Sequence, residues 1–265
     1  MNTLNKDVIF DGVGIHSGKP VKMVVSPSAQ SGIRFKYDEE IIRVNIDAIG
    51  INHIRSTTLT NGKITIQTPE HFLAACYALK LTNMMVTLNE LELPILDGSA
   101  IEFIQELQKE VVSVPSEKQE KLRINNDQHF TSNNAHYFTM PSNELNVSVY
   151  LSYPDHWIKS MCYVYTHSES AFISDIAPAR TYGFTHEIEA LKNSGLAKGG
   201  SLDNALVVAD EGYLNEPRFV DELARHKILD FLGDMSISGK EIVGQFVLIK
   251  PSHQGNCELL KQLSI

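Results

Sequence analysis

A histidine and an aspartate four residues apart on a helix share one face. Arg225-His226-Lys227-Ile228-Leu229-Asp230 offers that pair, and Asp234 continues the stripe one turn further. Such a pair either grips a divalent cation or forms a surface ion pair. With 32 acids and 10 histidines in 265 residues, chance places a partner four residues beyond roughly one or two of the histidines, so the spacing alone selects neither reading. The stripe carries more weight because its segment also bears apolar Leu223, Ile228, Leu229, Leu232 and Met235. One carboxylate can then ligate while the next orients a base. Glu70-His71 is the complement. A zinc hydrolase needs three protein ligands, an open position for water and a carboxylate to take the water's proton. Adjacent helical residues point about 100° apart, so one of Glu70 and His71 binds metal while the other reaches water, unless Glu70 is only a favourable acid at a helix start. His253 reads as a loop histidine in Lys250-Pro251-Ser252-His253-Gln254-Gly255. Beside an acid, its imidazole keeps a proton for general-acid work.

Periodicity supplies the elements that must position these groups. Segments 21–26, 33–37, 41–45 and 63–67 alternate as strands. Thr68-Pro69-Glu70-His71 opens a helix, with Thr68 as N-cap and Pro69 at the first helical position, running to about Lys80. A strand over 84–89, a turn at Pro94–Ser99 and a helix over 100–107 follow. In the second half, strands are expected over 145–153 and 162–166, and a helix over 184–194 closed by Gly195. Then come a strand over 204–209, a helix over 221–238 ended by Gly239, and a strand over 242–250. Each half thus carries a helix followed by a strand. The polar Lys/Glu-rich run from Gln105 to Gln128 contains Pro115-Ser116 and marks a boundary. The expected organisation is an N-terminal domain over 1–114 with Glu70 and His71, a linker over 115–120, and a C-terminal domain over 121–265 with His226, Asp230 and His253. One solvated helix and loop inside a single domain is the alternative.

Composition removes several classes of function. The net charge of −9 lacks the basic footprint of a nucleic-acid binder. No run of 18 apolar residues exists to span a bilayer. The first seven residues carry neither an apolar h-region nor an arginine-rich run, so the expectation is a cytoplasmic protein. Cys76, Cys162 and Cys257 are odd in number and far apart, which suggests no disulfide framework. Gly12–Gly18 and Gly199–Asn204 lack P-loop and dinucleotide spacing and read as tight turns. No nucleophile-elbow GxSxG occurs.

Taken in order, six motifs are specific together. They are Gly12-Val13-Gly14-Ile15-His16-Ser17-Gly18, Thr68-Pro69-Glu70-His71, Leu93-Pro94-Ile95-Leu96-Asp97-Gly98-Ser99-Ala100, Ala177-Pro178-Ala179-Arg180-Thr181-Tyr182-Gly183-Phe184, Gly199-Gly200-Ser201-Leu202-Asp203-Asn204-Ala205 and Arg225–Asp234. The series resembles the UDP-3-O-acyl-N-acetylglucosamine deacetylases, zinc amidases of lipid A biosynthesis, over roughly residues 7–263. The resemblance implies an α+β fold of two α/β-sandwich domains of similar topology, packed together with the active site at their interface. It implies Zn2+ on His71, His226 and Asp230, with Glu70 as general base and His253 as general acid oriented by Asp234. It also implies Thr181 as donor to the developing oxyanion and Lys227 near the substrate's charged groups. An acyl-chain passage would be formed by the insert 184–209, with Tyr182, Phe184, Gly200 and Ser201 among the substrate contacts. Leu151-Ser152-Tyr153-Pro154 stands where the family shows Phe-x-His-Pro, which makes Tyr153 the stand-in for an aromatic expected to stack on uracil. Tyr182 replaces a phenylalanine, and Ser56 stands where some members carry a cysteine near the metal. The implied partner is a small nucleotide-sugar lipid, with no nucleic acid, and the implied state a monomer. A zinc amidase on another acylated amino sugar, or a binding protein without turnover, are the other readings. Loss of kcat in Glu70→Ala and His253→Ala separates turnover from binding.

Overall fold

Alternation builds the first sheet. Along Pro20–Pro27, Val21, Met23 and Val25 are buried while Lys22 is exposed, the period-two pattern of a strand with one face on a core. The computed structural model describes residues 2–114 and 119–264. The first half runs β1 (Asn2–Leu4), β2 (Val8–Val13), β3 (Pro20–Pro27), β4 (Ile33–Tyr37), β5 (Glu40–Arg43), β6 (Thr58–Thr60), β7 (Thr65–Gln67), α1 (Glu70–Ala78), β8 (Met84–Leu88), α2 (Ile101–Leu107) and β9 (Val111–Ser113). The second runs β10 (Lys121–Arg123), β11 (Gln128–Ser132), β12 (Ala135–Met140), β13 (Leu145–Tyr153), β14 (Lys159–Thr166), α3 (Glu169–Ala171), β15 (Tyr182–Phe184), α4 (Thr185–Asn193), β16 (Leu206–Ala209), β17 (Gly212–Tyr213), α5 (Glu222–Ser236), β18 (Glu241–Ile249) and α6 (His253–Leu263).

The two halves share one topology. The first sheet is ordered β2-β3-β8-β4-β5 and the second β11-β12-β18-β13-β14. In each, the last strand in sequence lies centrally, antiparallel to the second and parallel to the third. A helix precedes that strand and another follows it, α1 and α2 in one half and α5 and α6 in the other. Edge-on aromatic contacts tie helices to sheet in the first half: Phe10 of β2 to Phe103 of α2, Phe103 to Phe72 of α1, and Phe72 to Phe35 of β4. In the second half Phe231 of α5 meets Phe246 of β18 at 5.1 Å. This is the expected α+β architecture.

The halves meet helix on helix. Eight of the nine residues of α1 are buried, because its other side lies against α5. The approach is close enough that a Cβ on Gly233 would sit 2.1 Å from the Glu70 carbonyl oxygen. Glycine is required there so that the C-terminal half of α5 can lie on the first turn of α1.

Several local expectations are corrected. Thr68 is not the N-cap of α1: it lies at φ 59°, its hydroxyl turns to Glu92, and Leu73 N–H donates to the Pro69 carbonyl, so the helix begins one residue later. The 63–67 strand pairs with β6 in a separate hairpin rather than joining the main sheet. Strands β2, β11 and β12 carry main-sheet positions that periodicity did not single out. Residues 115–118 of the expected linker lie outside the described residues. Among the described residues no helix is long and apolar enough to cross a membrane.

Candidate active site

Two helix positions converge at the junction of the halves. His71 lies in the first turn of α1, and His226 and Asp230 lie one turn apart in the interior of α5. Asp230 Oδ1 is 3.2 Å from His226 Nε2 and 3.6 Å from His71 Nε2, and one donor atom from each residue lies within 4.8 Å of the other two. The imidazoles are edge-on, with centroids 4.9 Å apart. His226 Nδ1 lies 3.0 Å from the Ala179 carbonyl; donating there fixes the tautomer and turns the Nε2 lone pair inward. Burial pushes the His71 pKa down, against the opposing pull of Asp230, which keeps this ring neutral and able to ligate. Burial alone would raise Asp230, but His226, Lys227 and His253 outweigh it and hold the carboxyl well below the usual range.

The donor set fits a cation. Asp230 Oδ1 is buried, faces two imidazole nitrogens and has no hydrogen-bond partner, whereas Oδ2 accepts from Lys227 Nζ at 2.9 Å. A buried carboxylate oxygen left bare is costly unless something positive occupies the space before it. Two nitrogens and one oxygen suit a first-row divalent ion, and three protein ligands leave a position open.

A second cluster flanks this one. Glu70 is buried, one carboxylate oxygen accepts from the Thr57 N–H at 3.2 Å, and burial pushes its pKa up to about 8. His253 Nε2 lies 3.8 Å from Glu70 Oε1 and 3.8 Å from Asp230 Oδ2. His253 Nδ1 is 3.1 Å from Asp234 Oδ2. Asp234 is fully buried and also accepts from the Thr57 hydroxyl at 2.5 Å and from Asn256 Nδ2 at 2.8 Å. Burial disfavours the imidazolium, but Asp234, Asp230 and Glu70 together more than offset it and raise the His253 pKa to about 9. His253 does not lie in a loop. It opens α6, and Ser252 caps that helix by accepting from the Gly255 N–H. Ser252 beside a strand end was the signal, since serine is a preferred N-cap.

Both clusters line one cavity of about 680 Å³ that also takes in Thr181, Tyr182, Phe184, Tyr153, Gly200, Ser201 and Lys227, so every sequence-predicted site residue except the buried Asp234 borders it. Thr181 is placed by its N–H donating to the Gly98 carbonyl at 2.7 Å. Its neighbour Arg180 forms a buried ion pair with Glu222 at 2.8 Å. Tyr153 and Tyr182 share a hydroxyl–hydroxyl bond of 3.1 Å, and the Tyr153 ring tilts against Phe184 at 5.1 Å. Lys227 Nζ stands 5.4 Å over the Tyr182 ring. Burial would lower the Lys227 pKa, but Asp230 leaves it raised. Ile188 and Leu191 of α4, with Leu202, Val207 and Leu214, give the cavity an apolar wall. The two glycine-rich turns are stitched together: Gly199 N–H donates to the Ile15 carbonyl, and a Cβ on Gly199 would lie 2.3 Å from the Gly14 carbonyl oxygen. Sequence reasoning missed Thr57, Asn256, the Ala179 carbonyl and the Arg180–Glu222 pair. A main-chain carbonyl has no sequence signature, and Ser56-Thr57-Thr58 has no periodicity that marks it.

The geometry agrees with comparison to known proteins. The model of the UDP-3-O-acyl N-acetylglycosamine deacetylase family (LpxC) matches residues 1–264. A UDP-3-O-acyl-N-acetylglucosamine deacetylase of Leptospira biflexa is 35% identical over 98% of this chain and 88% of its own. Enzymes of the same description from Citrifermentans bemidjiense and Helicobacter hepaticus are 34% and 32% identical, over 98% of this chain in both cases and over 88% and 89% of their own. With a match from end to end and the inward-facing His71, His226 and Asp230 joining its two halves, the chain belongs to the UDP-3-O-acyl N-acetylglycosamine deacetylase family.

Proposed function

We propose that this protein holds zinc on His71, His226 and Asp230 and hydrolyses the acetamide of UDP-3-O-acyl-N-acetylglucosamine, giving UDP-3-O-acyl-glucosamine and acetate for lipid A biosynthesis. The observation that carries the reading is Asp230 Oδ1, buried and unpartnered between imidazoles from the two halves. When bound, zinc supplies Lewis acidity, polarising the amide carbonyl and lowering the pKa of water toward about 7. Glu70 takes the proton of the attacking water. Its burial makes it a stronger base than a solvated carboxylate. The Thr181 hydroxyl donates to the amide oxygen as charge develops there. His253 Nε2 gives its proton to the departing nitrogen, which is a poor leaving group until protonated, and Asp234 on Nδ1 keeps that imidazole charged. Lys227 keeps its ammonium against Asp230 and offers it to the substrate's anionic oxygens. The acyl chain lies along Ile188, Leu191, Val207 and Leu214, gaining about 25 cal/mol per Å² of apolar surface buried. Tyr153, Tyr182, Phe184, Gly200 and Ser201 contact the remainder of the substrate. The same reading places a monomeric enzyme in the cytoplasm, and three free cysteines agree with a reducing compartment.

The test is metal analysis and deacetylation on one sample. Zinc-loaded protein should release acetate from UDP-3-O-acyl-N-acetylglucosamine, and His71→Ala should lose both zinc and turnover, by about 10³-fold or more. Zinc retained at wild-type level in His71→Ala would refute the ligand set. No acetate from the zinc-loaded wild type would refute the activity.

A further inference from the structure

Thr57 touches both members of the acid–base pair, through different atoms. Its main-chain N–H donates to Glu70 Oε2 at 3.2 Å. Its hydroxyl donates to Asp234 Oδ1 at 2.5 Å and lies 3.3 Å from His253 Nδ1. Its carbonyl accepts from the Thr68 N–H at 3.1 Å, two residues before α1 begins. The residue is fully buried. It lies between the start of α1, which carries the carboxylate, and α5 and α6, which carry Asp234 and the imidazole.

The hydroxyl has one proton, and the geometry says where it goes. Asp234 Oδ2 already accepts from Asn256 Nδ2 and faces His253 Nδ1. Oδ1 has the Thr57 hydroxyl. A carboxylate can only accept, so the hydroxyl donates to Oδ1 and presents a lone pair toward the Nδ1–H of His253. His253 Nδ1–H is thus shared between Asp234 Oδ2 and Thr57 Oγ1, which fixes the tilt of the ring and the direction of Nε2. Because the same residue's N–H fixes the Glu70 carboxylate, the 3.8 Å between Glu70 Oε1 and His253 Nε2 is measured off one rigid, β-branched residue.

We infer that Thr57 is a positioning residue that holds the proton-accepting Glu70 and the proton-donating His253 in register with each other across the junction of the two halves. The inference rests on the acid and base roles proposed above. It predicts a division of labour within one side chain. The hydroxyl governs the His253 side, while the main chain governs Glu70 and survives substitution.

The closing experiment is a double-mutant cycle on the zinc-loaded enzyme with UDP-3-O-acyl-N-acetylglucosamine. Thr57→Val keeps shape and main chain but removes the hydroxyl. It should lower kcat by about 10- to 100-fold with KM and bound zinc unchanged. Thr57→Ser should recover most of that loss. In a His253→Gln background, Thr57→Val should cost less than about threefold, because the group it orients is gone. A merely structural role would give the same loss in both backgrounds and a raised KM or lowered zinc content. Wild-type kcat in Thr57→Val, an additive cycle, or a Thr57→Ser variant as impaired as Thr57→Val would each overturn the inference. If His253→Gln alone retains wild-type kcat, the acid assignment fails instead, and the two failures are told apart by that single variant. Should Thr57→Val not fold, Thr57→Ser and Thr57→Ala, compared in the same two backgrounds, carry the same test.

Discussion

The two halves are built on the same strand order and the same pair of helices, yet they do different work. In the first, the chain passes from the sheet to α1 through a small β6–β7 hairpin. In the second, the equivalent connection is much longer and contains β15, α4, β16 and β17 before α5 begins. The matched helices α1 and α5 supply the candidate metal-binding triad and its neighbours from core positions: 12 of the 15 residues of α5 are buried. The inserted α4 has no buried residue, and its inner face walls the cavity with Ile188 and Leu191. The groups that α1 and α5 bring to the proposed reaction sit on buried, closely packed helices, while Ile188 and Leu191, proposed to meet the acyl chain, ride on an inserted helix with no buried residue. This follows from what each must do, since acid–base chemistry fails on small displacements and apolar contact tolerates them.

Substitutions at the matched helices should therefore have the largest consequences. Glu70→Ala and His253→Ala should each lower kcat by about 10²- to 10⁴-fold with the fold intact, read by steady-state kinetics and circular dichroism. Their pH dependence has opposite signs. As the proposed base, Glu70 would work deprotonated, so activity should fall as pH drops through its pKa, which burial places at about 8 before any cation draws it lower. As the proposed acid, His253 would work protonated, so activity should fall as pH rises through about 9. His253→Gln should leave a low, flat alkaline limb; a limb that persists unchanged would refute the assignment.

Gly233→Ala probes the junction itself. In an exposed helix this change stabilises by about 1 kcal/mol. Here the new methyl would collide with the Glu70 carbonyl, and overpacking should instead cost about 1–3 kcal/mol. It should also cost about 10- to 100-fold in kcat through displaced groups. A raised melting temperature with normal kcat would show that the helices are not so tightly seated.

The insertion should respond differently. Leu191→Ala should change stability by less than about 0.5 kcal/mol and raise KM for a long-chain substrate about tenfold, with little change for a short-chain analogue. Equal effects on both would remove the acyl-wall reading.

The smallest effect is expected away from the chemistry. The His167 ring packs on Tyr77 of α1 at 5.2 Å, and burial, helped by Lys80, lowers its pKa from 6.5 to about 4. The unfolded chain binds this proton first. Stability from the contact is therefore present above pH 6.5 and lost as pH falls from 6.5 toward 4, by about 1 kcal/mol after allowing for partial exposure. Urea midpoints of wild type and His167→Phe should diverge over that range and keep a constant separation above it.

How much was legible can be followed residue by residue. Strand 145–153 and the body of α5 were plain because alternation and the 3.6-residue stripe report burial directly. Thr68 misled because its type suits a cap, while its backbone turned left-handed to meet the β6–β7 hairpin and Glu92. Thr57 was invisible because its value lies in side chains distant in sequence, at 70, 234 and 253, and nothing local to Ser56-Thr57-Thr58 encodes them.

The sequence by itself determined which groups were available and the local frames that carry them. His226, Asp230 and Asp234 must share a helix face, because helical periodicity is a property of the chain alone. Motif order was enough to suggest the family. Only the tertiary structure decided that His71 meets that face, that Asp230 Oδ1 is left bare between two imidazoles, and that His253 is braced by Thr57 and by Asp234, which Asn256 holds in turn. Those facts depend on how closely α1 and α5 approach, and that distance is set by Gly233 packing against a main-chain carbonyl 163 positions earlier in the chain. Spacing along a sequence fixes angles within an element, but distances between elements come from packing.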